Sequence, residues 1–324
     1  MYRGTIRIGI FSVVLLMLFP AMSAGQTYPT RPVRLVTTSG PGGSADGVAR
    51  ILGRKMSDLM GQQVLVDGRP GAGGSVGTVF TVRSPADGYT IILQTIPLVV
   101  NPSLYANLQF DVVKDLAPVS LIAAAPFVLL VHPSVPAKSV KELIALAKKQ
   151  PGKLNYASGV NGTNSHISTE LFKSLTGTNI IKVPYKDGGA ALSAVVSGEV
   201  DMSILSITAS LAQVKAKRIR ALGITSTQRS PVIPELPTVA EAGVPGYQYT
   251  SWYGVLAPAG TPVNIINALN DYIVKAMRSP DLAQYFEREG ADIVASSPAQ
   301  FATHIKVELA RWAKVLKEAG LSPK

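Results

Sequence analysis

Three short patterns in this 324-residue chain carry residue types that could do chemistry. Gly40, Gly42 and Ala45 fit G-x-G-x-x-A between a strand-like run and an amphipathic helix, and Asp67 closes the next strand. That spacing suits a dinucleotide, with amides on the pyrophosphate and the acid on a ribose. Read less specifically, it is a tight turn that brings backbone amides at a helix N-terminus to any anion, a carboxylate included. Gly73, Ser75 and Gly77 fit G-x-S-x-G, the nucleophile elbow of a serine hydrolase. An elbow serine follows its strand directly, whereas residues 67 to 74 separate Val66 from Ser75. The base would have to be His132, His166 or His304. The third pattern is the small, polar run from Ser158 through Asn161, Gly162, Thr163 and Asn164 to His166. It is either a solvated turn or a second anion-facing helix start, mirroring the Gly-rich loop earlier in the chain.

Three dispersed histidines and no cysteine give no cluster at metal-ligand spacing, so no metal site is expected. Asp46, Asp67, Asp187 and Asp201 each fit the role of cap or turn residue.

The elements that must position these residues alternate. Val33 to Thr37, Val64 to Val66 and Thr90 to Leu93 read as strands, with helices at Ala45 to Met60 and near Val76 to Arg83 between them. In the first helix Val48, Ile51, Leu52, Met56 and Leu59 recur at three- and four-residue spacing, with Ser44 placed to cap the start and Gly61 to end it. A second run of the same kind begins after Phe127. It has strands at Val128 to Val131, Leu154 to Ala157, Ile180 to Val183, Val200 to Ile204 and Ile219 to Ile224. Its helices start at Val140, behind the capping box of Ser139 and Glu142, and include one ending near Leu175 and one at Ala190 to Ser197. A Pro-rich connection from Pro231 to Pro245 holds a short capped helix at Thr238 to Glu241. A strand at Trp252 to Leu256 and two final helices follow, near Val263 to Met277 and from Ser297, Pro298 and Gln300 onward. The pattern predicts two α/β halves.

The N-terminus carries Arg3 and Arg7, an apolar run from Ile8 to Phe19 and then Ala21, Ser23, Ala24 and Gly25. This reads as a cleavable signal peptide over residues 1 to about 26, and hence as a periplasmic, membrane-free mature chain. The absence of cysteine excludes disulfides, a cysteine nucleophile and a lipid-bearing cysteine. The formal charge of +11 comes from scattered basic residues with no aromatic interleaving, which predicts no nucleic-acid partner.

The chain closely resembles the Bug family, the substrate-binding proteins of tripartite tricarboxylate transport systems. The matching segments are TRPVRLV at Thr30 to Val36, PGGSAD at Pro41 to Asp46, GRPGAGGSVGT at Gly68 to Thr78 and PADGYT at Pro85 to Thr90. They continue with NYASGVNGTNSH at Asn155 to His166, VPYKDGG at Val183 to Gly189, LPTVAEAGVPGY at Leu236 to Tyr247 and SWYGVLAPAGTP at Ser251 to Pro262.

The resemblance implies an α/β periplasmic-binding-protein fold of type II, with two lobes, two chain crossings near Phe127 and Ser251 and a ligand cleft between the lobes. Residues 27–126 and 252–324 would form one lobe and 127–251 the other. It implies a carboxylate held by Gly42, Gly43, Ser44, Gly74, Ser75 and Gly77 from the first lobe. Ser158, Asn161, Gly162, Thr163, Asn164 and His166 would hold it from the second, with Thr95, Tyr185, Leu205 and Ser206 at strand ends completing the set. Asp46 would be structural. Two departures bear on selectivity: Ser39 stands where the family usually places an aromatic, and Leu205 and Ser206 stand where an acid is common. A cleft without that acid leaves an ammonium unpartnered, which favours plain or aromatic carboxylates over amino acids. The expectation is a monomeric, non-enzymatic, cofactor-free binding protein that delivers its ligand to a membrane permease. The competing readings are an exported hydrolase using Ser75 and a binding protein that acts on a membrane sensor.

Overall fold

The computed structural model describes Met1 and residues 28–41, 43–288 and 290–318. The signal-peptide segment beyond Met1 and the expected ligand residue Gly42 lie outside the described residues.

The first strands and helices alternate as the hydrophobic pattern predicts. They are β1 (Val33–Thr37), α1 (Ser44–Met60), β2 (Val64–Gly68), α2 (Ser75–Val82), β3 (Thr90–Gln94) and α3 (Pro97–Val100). Then come β4 (Leu116–Val131), α4 (Val140–Lys149), β5 (Asn155–Ser158), α5 (Asn164–Thr176), β6 (Ile181–Pro184), α6 (Gly188–Ser197), β7 (Met202–Ser206), α7 (Ile207–Lys215) and β8 (Arg220–Ile224). The chain continues with β9 (Thr250–Pro258), α8 (Val263–Met277), α9 (Pro280–Arg288), β10 (Asp292–Ile293) and α10 (Pro298–Glu318).

In one lobe β1 pairs in parallel with β2 and β3, and β3 pairs antiparallel with β9. In the other, β5 pairs in parallel with β6 and β7. The two are joined by β4. Its residues Leu116 to Pro126 run antiparallel to β9, while Phe127 to Val131 pair with β7 and Val128 to Val131 with β8. The two-lobed α/β architecture of a type II binding fold is therefore what the chain adopts.

Strand alternation explains the core. Val128 and Leu130 pack on one face of the second sheet with Ala157, Val195 and Ile224, while Leu129 and Val131 pack on the other with Tyr156, Phe172 and Trp312. Both faces are covered, so the strand reads as a continuous apolar run. In the first lobe Val33, Leu35, Ile91 and Leu93 meet the apolar stripe of α1 (Val48, Leu52, Met56) and Leu269 and Ile273 of α8.

Three expectations need correction. Ser44 is the first residue of α1; its N-cap is Gly43, with extended backbone and no side-chain cap bond. Thr238 and Glu241 do make the reciprocal bonds of a capping box, at 3.0 and 3.1 Å, but they close a turn and no helix follows, because Gly243 and Pro245 stop the chain from continuing it. The strand expected at Val128 is the last third of β4, whose earlier part, APVSLIAAAP, lacks the β-branched alternation that marks a strand. Gly61 ends α1 in the left-handed region (φ 64), as its position predicts.

Candidate functional site

Between the lobes lies a cavity of about 110 Å³. Its walls are built almost entirely from strand-to-helix turns, the place where open α/β sheets bind ligands. β1 leads into α1 through Ser39, Gly40, Gly43 and Ser44, and the loop after β2 leads into α2 through Gly71, Gly73 and Gly74. From the other lobe β5 leads into α5 through Gly159, Thr163 and Asn164, β6 into α6 through Asp187 and Gly188, and β7 into α7 through Leu205 and Ser206.

Five helices of eight residues or more thus start at one space. Only α6 is capped by a side chain, with Asp187 accepting from Ala190 N at 2.8 Å. The N-caps of α1, α2, α5 and α7, namely Gly43, Gly74, Thr163 and Ser206, make no side-chain cap bond. Each of these starts presents amide donors and the positive end of a helix dipole, so the cavity is electropositive without clustered cations. Lys186 and Asp187 are the only charged residues among the described walls. Gly74 makes one approach possible: its φ is 96°, and a Cβ there would sit 3.2 Å from the Thr38 Cβ.

Polar side chains knit the lobes together beside the cavity. Asn164 Nδ2 donates to Thr95 Oγ1 at 3.3 Å, while Asn164 Oδ1 accepts from Tyr249 OH at 2.7 Å and Ser251 Oγ at 3.4 Å. Burial pushes the Tyr249 phenol well above its ordinary pKa, which keeps it a neutral donor. At the crossing, Thr225 N and Oγ1 donate to Phe127 O at 2.9 and 3.0 Å, Thr225 Oγ1 accepts from Phe127 N at 2.7 Å, and the Phe127 ring lies edge-on to Tyr249. Phe127 itself lines the cavity.

Of the residues singled out from the sequence, Ser39, Gly43, Ser44, Gly74, Thr95, Thr163, Asn164, Leu205 and Ser206 come together on the cavity wall. Others fall behind it. Ser75 is the first residue of α2 and is not on the wall, and Gly77 packs against Val36 and the Arg69 carbonyl. Ser158 is fully buried and donates to the Gly159 carbonyl at 2.7 Å. The side chain of Asn161 is engaged by Lys182, His166 Nδ1 accepts from Gly162 N at 3.2 Å, and Tyr185 donates to Glu199 at 2.9 Å.

Wall residues that sequence reasoning missed include Thr38, Pro70, Gly71, Phe127, Lys186 and Gly188, while Gly73 was read only as part of a hydrolase pattern and Asp187 only as a cap or turn residue. A signal existed for Asp187 and Gly188, since an aspartate between a strand and a small-residue helix reads as an N-cap. Asp67, the acid that the dinucleotide pattern needs, is paired instead with Arg69 at 2.9 Å and Arg34 at 3.4 Å. No histidine lines the cavity among the described residues. Asp46 is buried in the first turn of α1, where it pairs with Arg50 at 2.9 Å. The walls can hold and orient an anion through amides and hydroxyls.

The sequence profile of the tripartite tricarboxylate transporter family receptor matches residues 48–321. The Bordetella pertussis protein BugT is 39% identical over 315 residues, covering 97% of this chain and 96% of its own. Among solved structures, R. palustris Rpa4515 with adipate superposes with a TM-score of 0.88 at 38% identity, covering 92% of this chain and all of that one. MatC from Rhodopseudomonas palustris with bound malate superposes at 0.85 with 30% identity, covering 89% and 100%. Among the described residues no helix is long and apolar enough to cross a membrane.

Proposed function

The chain belongs to the tripartite tricarboxylate transporter receptor family, and from that premise we propose that it captures a small carboxylate between its two lobes and delivers it to a membrane permease. The observation that carries this reading is the convergence of four helix starts without side-chain caps, two from each lobe, on a single cavity. A carboxylate bound there takes hydrogen bonds from both lobes at once, and only such shared contacts favour a closed state over an open one. In this reading Gly43, Ser44, Gly74, Thr95, Thr163, Asn164 and Ser206 are the ligand-facing residues. The adipate and malate named with two neighbours support a carboxylate as the ligand class.

The protein acts by binding alone, as a monomer in the periplasm after removal of its signal peptide, and takes neither nucleic acid nor a resident cofactor. Lobe boundaries between Pro126 and Phe127 and near Ser251 are part of the same reading, supported by the change of partner strands along β4. Selectivity for carboxylates without an ammonium group is part of the same reading; the one acid among the described walls, Asp187, caps α6 through Oδ1.

Thermal unfolding against a panel of dicarboxylates, aromatic carboxylates and acidic amino acids tests the proposal. A ligand at 100 times its dissociation constant stabilises the folded state by about 2.7 kcal/mol, a readily measured rise in Tm. A rise with a carboxylate that is recovered chemically unchanged supports the reading. No rise across the panel, or turnover of a panel member, overturns it.

A further inference from the structure

Asn101 opens a short 3-10 turn between α3 and β4 and does not line the cavity, yet its side chain lies between two glycine loops that do border it. Its Nδ2 donates to the Gly73 carbonyl at 2.9 Å, holding the loop that ends at Gly74, the N-cap of α2. Its Oδ1 is buried and has no hydrogen-bond donor among the described residues. What stands against that oxygen is Gly162, from the loop that leads to Thr163, the N-cap of α5 in the other lobe.

The fit leaves no room for a side chain. A Cβ on Gly162 would fall 2.6 Å from Asn101 Oδ1 and 3.0 Å from the Tyr105 hydroxyl. A Cβ on Gly73 would fall 3.0 Å from both Asn101 Nδ2 and the Asn161 carbonyl. Both glycines also hold positive φ, 63° at Gly73 and 79° at Gly162, so each is fixed by backbone conformation as well as by space.

We propose that Asn101 is a positioning residue for ligand capture: its amide sets the first lobe's ligand-facing loop, and its carbonyl oxygen forms the seat onto which Gly162 of the second lobe closes. The inference rests on the binding reading above. A buried acceptor left without a donor is unfavourable. The orphaned Oδ1 is thus kept at a cost to fold stability, while Nδ2 contributes its bond to the Gly73 carbonyl. Closing the lobes strips water from Oδ1 and replaces it only with the weak C–H contact that a bare glycine offers. Empty closure is thereby disfavoured, and a ligand that bridges the lobes makes up the difference.

Two experiments decide this, with adipate as the probe. Asn101→Leu keeps the volume and removes both polar atoms. We expect its adipate affinity to fall at least about tenfold while the Tm without adipate changes little, because relief of the orphaned Oδ1 offsets the donor lost by the Gly73 carbonyl. Unchanged affinity overturns the proposal, and so does a Tm that falls in step with affinity, the mark of a packing role. Because the chain contains no cysteine, the pair Asn101→Cys with Gly162→Cys reports the contact independently of affinity. The expected result is an intramolecular disulfide under mild oxidant that forms faster when adipate is present. Failure to cross-link in a double variant that keeps the Tm of the unmodified protein overturns the proposed seat, as does a cross-linking rate indifferent to adipate where the unmodified protein binds it. If the unmodified protein gives no adipate binding by calorimetry, that result counts against the binding reading for this probe. Cross-linking without adipate then decides whether Gly162 meets Asn101.

Discussion

The amide of Asn164 reaches the hydroxyl of Thr95 at 3.3 Å, joining the start of α5 in one lobe to the end of β3 in the other. The same Asn164 side chain is the acceptor for the fully buried hydroxyl of Tyr249.

Asn164→Ala is therefore expected to lower stability even without ligand. It leaves the Tyr249 hydroxyl buried without its acceptor, at a cost of about 1–3 kcal/mol. Tyr249→Phe should lose less, because it removes the orphaned group, and in the double variant the Tyr249→Phe change should recover part of the loss. Chemical denaturation of the three variants measures this, and strictly additive losses would contradict the assignment.

Ser206 caps α7 without a side-chain bond to a backbone amide. Ser206→Asp places a carboxylate at that helix start, where the dipole favours it while burial of the position, 4% exposed, opposes it. The same charge repels an incoming carboxylate, and at an effective dielectric near 20 the penalty exceeds the ~1.4 kcal/mol that corresponds to a tenfold loss of affinity. Calorimetry should show at least about a tenfold loss of carboxylate affinity.

Ser75 lies off the cavity wall. Ser75→Ala should leave carboxylate affinity within about a factor of two, and the unmodified protein should resist labelling by a serine-directed phosphonate, since no histidine accompanies a serine on the described wall. Stoichiometric labelling at Ser75 would revive the hydrolase reading.

His304 packs against Trp252 and Phe301, with Glu308 and Arg311 nearby on α10. Burial lowers its pKa from the ordinary value of 6.5, with Glu308 opposing the shift and Arg311 reinforcing it. The unfolded chain thus takes up a proton before the folded one does, and stability present above pH 6.5 is lost as the pH falls through the folded-state value. Tm should decline between pH 7.5 and 5.5, ahead of the acidic losses expected from Glu170 and Asp281, whose carboxyl pKa values are lowered. His304→Gln should flatten the upper part of that profile.

What the sequence made legible follows the strength of each local signal. Helix α1 was readable from its five-residue apolar stripe and its glycine stop, and the anion-facing turns at Gly43 and Thr163 from small polar residues between a strand and a helix. The joining strand β4 was not, because its alanines and two prolines lack β-preference and its extended form is imposed by β9, more than a hundred residues later. Phe127 and Lys186 reach the cavity through strand pairing and register, which no local pattern encodes. Ser75, Gly77 and Ser158 lie in the expected segments but are not among the wall residues, and motif matching carries no information on helix phase or strand face.

The continuity of β4 has a consequence for how the polypeptide acquires its structure. Because one unbroken strand of 16 residues supplies hydrogen-bonding edges to both sheets, neither half can be excised with its sheet intact. The return strand that flanks β4 is also made late in synthesis. A ribosome-bound fragment ending before Thr250 leaves the Leu116–Pro126 edge without β9. Refolding must close a loop of more than a hundred residues before that edge is satisfied, the high-contact-order situation in which folding is slow and exposed edges invite aggregation. Both lobes should accordingly melt in a single transition, and limited proteolysis should yield no stable fragment corresponding to either one.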